Sequence, residues 1–106
     1  MLIVIPTHMR EENQKCYNNM PQFVKNMTVL AARSDRVAEL TKYNSSACII
    51  DLGETDGIAD VRQRVVEYAK DEKVLIMDDS CVFMQRDSDL KLSEITEDGW
   101  KDMLNM

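Results

Sequence analysis

The chain has 106 residues, 44% of them hydrophobic and 30% charged, with a formal net charge of −6. That length supports one domain around a single core, and the balance of apolar and charged residues excludes a disordered chain. The acidic excess disfavours direct binding to nucleic-acid backbones, and no apolar run approaches the ~18 residues of a membrane span.

The chain opens on Leu2-Ile3-Val4-Ile5, a mostly β-branched run closed by Pro6, which predicts a first strand. Residues 10–19 are polar with helical character, and Pro21 then breaks or restarts that helix. A second apolar run covers residues 27–32. Ser34 is placed to cap a short helix carrying Val37 and Leu40. Ala47-Cys48-Ile49-Ile50 predicts a third strand, and a turn over residues 53–57 follows, bounded by Gly53 and Gly57.

The next helix has the clearest pattern. Ile58, Val61, Val65, Tyr68 and Ala69 recur at helical spacing, with Asp56 in the N-cap position. Residues 70–73 end it, and Val74-Leu75-Ile76-Met77 predicts a fourth strand. Near the C-terminus Thr96 caps a helix bearing Trp100, Met103 and Leu104, with Ile95 and Trp100 spaced as a hydrophobic staple. Strands thus alternate with helices over short links. The expectation is a single α/β domain over residues 1–106, a small Rossmann-like and mostly parallel sheet of about four strands. Right-handed crossovers would place helices on both faces.

Cys16, Cys48 and Cys81 are widely spaced and form neither a CxxC pair nor a disulfide framework. They read as reduced, mostly buried thiols. With no basic-then-apolar leader at the N-terminus, the expected setting is cytoplasmic, the host cytoplasm for a phage-encoded chain. The single histidine, His8, excludes a His-rich metal cluster.

The fourth apolar run ends abruptly in Asp78 and Asp79. Two adjacent carboxylates repel each other unless a cation or a set of donors lies between them. Open α/β sheets bind ligands just past the carboxyl ends of their strands, so the pair points to a metal–phosphate or nucleotide site. A solvated turn at the end of a strand is the plain alternative.

Three segments in order resemble the N-terminal, nucleotide-binding half of GT-A glycosyltransferases, especially the family-2 type and its phage-encoded relatives. The first is the opening strand and its polar exit, Ile3-Val4-Ile5-Pro6-Thr7-His8-Met9-Arg10. The second, Gly57-Ile58-Ala59-Asp60-Val61-Arg62-Gln63, is similar to the family's Gly-x-Ala-x-x-Arg-Asn stretch. The third, Leu75-Ile76-Met77-Asp78-Asp79-Ser80, is similar to the strand that carries the DxD motif.

The resemblance implies a nucleotide or sugar-nucleotide site with glycosyltransferase-related chemistry. Pro6, Thr7, His8, Gly57, Arg62 and Asp78 would bind the nucleotide, and Asp78 with Asp79 would hold Mn²⁺ or Mg²⁺. Such a cation would neutralise the departing diphosphate. Three departures accompany it. Where the family's second strand ends in acidic residues, this chain reads Ala31-Ala32-Arg33. Aligning Asp78 with the first acid of DxD places Ser80 third, and aligning Asp79 with the last places Met77 first. The chain also ends soon after Asp79, so the expectation is a truncated domain without the acceptor half, and activity as an enzyme stays open.

Other readings compete. A non-catalytic, acidic protein-binding module, such as a small phage inhibitor of a host or defence protein (anti-CRISPR-like), would account for the charge and the shortness. The exposed edges of a small sheet leave room for a protein partner or a homo-oligomer. A receiver-like domain would carry its acids at the end of the first strand, where this chain has Pro6-Thr7-His8. At single residues, Arg62 reads equally well as an ion-pair partner of Asp60, Glu67 or Asp71. Arg64 and Lys70 read as a solvated face, and His8 as a loop hydrogen-bonder. Cys81, beside the acid pair, is not read as a nucleophile.

Overall fold

Four apolar runs become four parallel strands. The computed structural model describes residues 1–70, 72–80, 83–86 and 92–105, so the readings for Asp71 and Cys81 fall outside the described residues. β1 (Leu2–Pro6), β2 (Thr28–Ala32), β3 (Cys48–Asp51) and β4 (Val74–Ile76) form one sheet in the order β3-β2-β1-β4. In register, Ile3 lies opposite Thr28 on one side and Leu75 on the other. β1, one of two inner strands, is therefore where the two halves of the chain meet.

The helices fall on both faces, as the alternation predicts. α1 (Lys15–Asn18), α2 (Gln22–Lys25) and α3 (Val37–Tyr43) lie in the crossovers that step from β1 to β2 to β3. α4 (Gly57–Ala69) carries the step back to β4. Right-handed crossovers running in opposite directions must put their helices on opposite faces. The burial follows that rule. Ile3, Ile5, Leu30 and Ala32 share a core with Tyr17, Val24 and Leu40, whereas Val4, Val29 and Ala31 pack with Leu52 and Val65.

α5 (Glu97–Met103) closes the first face with Trp100 and Leu104, both buried. The Thr96 Oγ1 accepts from the Gly99 N–H at 3.1 Å, and Ile95 packs into the cluster that contains Trp100, so cap and staple both form. Phe83 meets Trp100 edge to face, with ring centroids 4.9 Å apart. Leading into α5 is an antiparallel pair, β5 (Met84–Arg86) with β6 (Leu92–Glu94), which the periodicity did not announce. Each strand is only three residues long, too short to show an alternating pattern.

Several local expectations are corrected. The helix expected over residues 10–19 is a loop ending in the single turn of α1, because residues 7–14 are held by side-chain bonds instead of a helical ladder. Ser34 opens a 3₁₀ turn, Ser34–Arg36, without capping it, and its hydroxyl donates to Asp51 at 2.6 Å. Asp56 holds the N-cap position without a capping bond, while its own N–H donates to Asp60 at 2.8 Å. Tyr68 and Ile58 lie 49% and 73% exposed despite sitting near the apolar stripe of α4. Met103 and Cys48 are also exposed, whereas Cys16 is buried. Among the described residues no helix is long and apolar enough to cross a membrane.

Leu30 has no solvent exposure and joins β2 to the larger core. Leu30→Ala is expected to lower the unfolding free energy by about 3 kcal/mol in urea titration, and Tyr68→Ala by no more than about 0.5 kcal/mol.

Candidate functional site

The sheet order reverses at β1, so the chain leaving Pro6 has β2 on one side and β4 on the other. A crevice opens where neighbouring crossovers depart to opposite faces, beyond the carboxyl ends of the strands. Here it is a cleft of about 650 Å³. Pro6, Thr7, His8, Gly57, Arg62, Asp78 and Asp79 all line it. So do Arg10, Arg33, Thr55, Ile58 and Val61, to which the resemblance assigns no role.

The first wall is the loop after β1. The Thr7 N–H donates to the Ala31 carbonyl at 2.8 Å, which prolongs the β1–β2 ladder by one bond. Its hydroxyl donates to the Gln14 Oε1 at 3.2 Å, and the fully buried Gln14 amide donates to the Arg10 carbonyl at 2.8 Å. Glu11 is buried and ion-paired with Arg36, while its carbonyl accepts from the Asn44 side chain. That pair holds the Glu11 carboxyl below its ordinary value, chiefly through the Arg36 hydrogen bond. His8, Met9 and Arg10 are thus carried on a clamped loop. Met9 adopts the left-handed region (φ 63°) and is 66% exposed. A non-glycine residue held there costs of order 1–3 kcal/mol and persists only when its surroundings determine it.

The second wall is the exit of β4. The Met77 N–H still donates to the Val4 carbonyl at 3.0 Å, so the ladder runs up to the acid pair. The Asp78 Oδ1 accepts from the Ser80 N–H at 2.8 Å and from the Ser80 hydroxyl at 2.7 Å. These two bonds hold its carboxyl below the ordinary value. Asp79 is the opposite case. Burial, then the neighbouring Asp78 carboxylate, raises its pKa, and the Arg10 guanidinium, 3.6 Å away, offsets only part of that. Its carbonyl accepts from the Cys16 N–H at 3.1 Å, which ties this wall to the first.

The third wall is α4 and the turn before it. Gly57 opens the helix at φ +82°, and Gly53 turns the chain at φ +78°. A Cβ at Gly53 would lie 2.9 Å from the Arg64 Nη1. Arg64 donates to the Leu52 carbonyl at 2.9 Å and pairs with Asp60 at 3.3 Å. It is therefore a fastener of the turn, not part of a solvated face. Because Asp60 is taken by Arg64, Arg62 makes no ion pair among the described residues and lines the cleft without one. Ile58, in the first turn of α4, is exposed and lines the cleft.

A protein of net charge −6 thus lines one cleft with Arg10, Arg33 and Arg62 facing two carboxylates. Among the described residues no group of three or more His, Cys, Asp and Glu side chains could hold a metal ion. Asp78 and Asp79 would supply two carboxylates, so an octahedral cation would draw its other ligands from a bound phosphate and water. No family model matches this chain, and a search of curated proteins finds no match. Arg10 and Arg33 were within reach of a simpler rule, because each closely follows a strand that points at the cleft. The resemblance gives neither a role, although Arg10 ends its first segment and Arg33 marks its departure at the second strand.

A buried carboxyl whose pKa is raised keeps its proton to higher pH in the native state than in the unfolded chain. Above the ordinary value of 3.8 the native state binds the extra proton, so stability falls as pH rises through the native pKa. Asp79→Asn is expected to raise the urea midpoint of the ligand-free protein at pH 7. The gain should fade as the pH is brought below 3.8, and a pH series of denaturation curves checks it.

Proposed function

We propose that the cleft binds a nucleotide or sugar nucleotide through its diphosphate, together with Mg²⁺ or Mn²⁺ held by Asp78 and Asp79. On this reading the chain is a glycosyltransferase-related domain of GT-A type. One observation carries it. The residues singled out by three separate sequence segments line a single cleft at the reversal point of the sheet. Arg10 joins Arg62 there, two cations beside the acid pair, against the charge of the protein as a whole.

The roles follow from chemistry and position. Arg62, free of ion pairs among the described residues, donates to phosphate oxygens with its planar fork. Gly57 presents the start of α4 without a side chain, so a phosphate can approach the backbone. Thr7 and His8 border the nucleoside. Asp78, already oriented by Ser80, and Asp79, held by Arg10, face the cation. The cation, when bound, neutralises charge that develops on a departing diphosphate.

Calorimetric titration with UDP and other nucleoside diphosphates, with and without Mn²⁺, tests the proposal. Metal-dependent binding is expected in the wild type and should be lost in Asp78→Asn/Asp79→Asn. Arg62→Ala should weaken it about tenfold, the scale of one charge-assisted hydrogen bond. Silence with every nucleotide at every metal concentration would reject the reading in favour of an acidic module that recognises another protein.

A further inference from the structure

We propose that Arg33 makes the β2 end of the cleft a second anion subsite, and that the ligand is a nucleotide carrying an additional phosphate on its ribose. The inference rests on the nucleotide reading above and adds the ligand class. Arg33 directly follows β2, in extended conformation, and lines the cleft. Val29 and Ala31 face α4 in the smaller core, and residue 33 continues that alternating row toward α4.

The Arg33 side chain is 41% exposed, yet its Nε is shielded from solvent and makes no hydrogen bond among the described residues. It lies 3.4 Å from the Asp35 carboxylate, which is itself 67% exposed. A pair so open to water contributes little, and a phosphate offering two oxygens to the guanidinium fork displaces it readily. The cation is thus held at the cleft in a loose contact.

Position separates this cation from the acid pair. β2 and β4 flank β1, so their exits lie two strand spacings apart, ~10 Å. That is comparable to the reach from the terminal phosphate of a nucleoside diphosphate to its ribose hydroxyls. A diphosphate at Asp78, Asp79 and Arg62 therefore brings the ribose toward Arg33. Of the cleft-lining side chains at that end, Ala31, Ala32 and Leu52 accept no hydrogen bond from a ribose hydroxyl; Thr55 also lines the cleft, and the Asp35 carboxylate beside Arg33 does not. In dinucleotide folds an acidic residue at this place takes the free 2′-hydroxyl, and an arginine takes a 2′-phosphate. The β2 exit of this chain offers the arginine.

The test titrates adenosine and uridine 5′-diphosphates, and the same compounds phosphorylated at the 2′ or 3′ position, in the presence of Mn²⁺. Wild type is compared with Arg33→Ala and Arg33→Lys, with thermal melting as the control for folding. The extra phosphate is expected to tighten binding to wild type by roughly tenfold or more. Arg33→Ala should erase that gain while leaving the plain diphosphates within about twofold, and Arg33→Lys should keep part of it. Equal binding of the plain and phosphorylated compounds to wild type, or a gain that survives in Arg33→Ala, overturns the second subsite and leaves the diphosphate reading standing. No binding of any probe overturns both.

Discussion

β1 has a parallel neighbour on each side, and the geometry of the cleft follows from that constraint. A strand paired on one side would end at an edge, with nothing opposite to build a second wall. Here the ladder continues past the strand on both flanks, through the Thr7 N–H to Ala31 and the Met77 N–H to Val4. The backbone is held in register until the polar residues begin. The helices that would otherwise cover this end leave toward opposite faces, so space remains between them.

Within that space the protein sets two chemically identical side chains in opposite surroundings. Asp78 is wrapped by Ser80, which lowers its pKa, whereas burial raises that of Asp79. Nothing in core packing requires a carboxylate at position 79. Its surroundings include a loop locked by Gln14, Glu11 and Asn44, and a left-handed Met9. A buried acid and a strained backbone both work against stability at one place. Natural sequences tend to accept such conflicts where binding or chemistry takes place.

Strand alternation and the apolar stripe of α4 made the sheet and its two-sided covering legible in the sequence. Val61 and Val65 mark the inward face of that helix, and Ile3 and Ile5 alternate with Leu2 and Val4 as the pleat demands. The C-terminal cap was legible too, because Thr96, Ile95 and Trp100 act within one turn. Contacts made across the chain were not. Ser34 meets Asp51 and Arg36 meets Glu11, so residues that look like helix formers and caps serve tertiary structure instead. Of the cleft, the residues at the β1 and β4 exits and at the start of α4 were found through motifs. Arg33 was visible as a departure from a family pattern, and its place beside the others emerged only once β2 was set next to β1.

The pairing of Leu2 with Val74 joins positions separated by most of the chain. Closing so large a loop costs entropy before any contact repays it, and folding rates fall as such non-local contacts come to dominate. During synthesis β1 can meet β2 while β4 is still unmade, and the flank that later receives β4 stays open for that interval. The acidic wall is then the last part of the cleft to be assembled. The cleft is incomplete until β1 gains its second neighbour, so the step that completes the sheet is also the step that sets the last wall of the cleft.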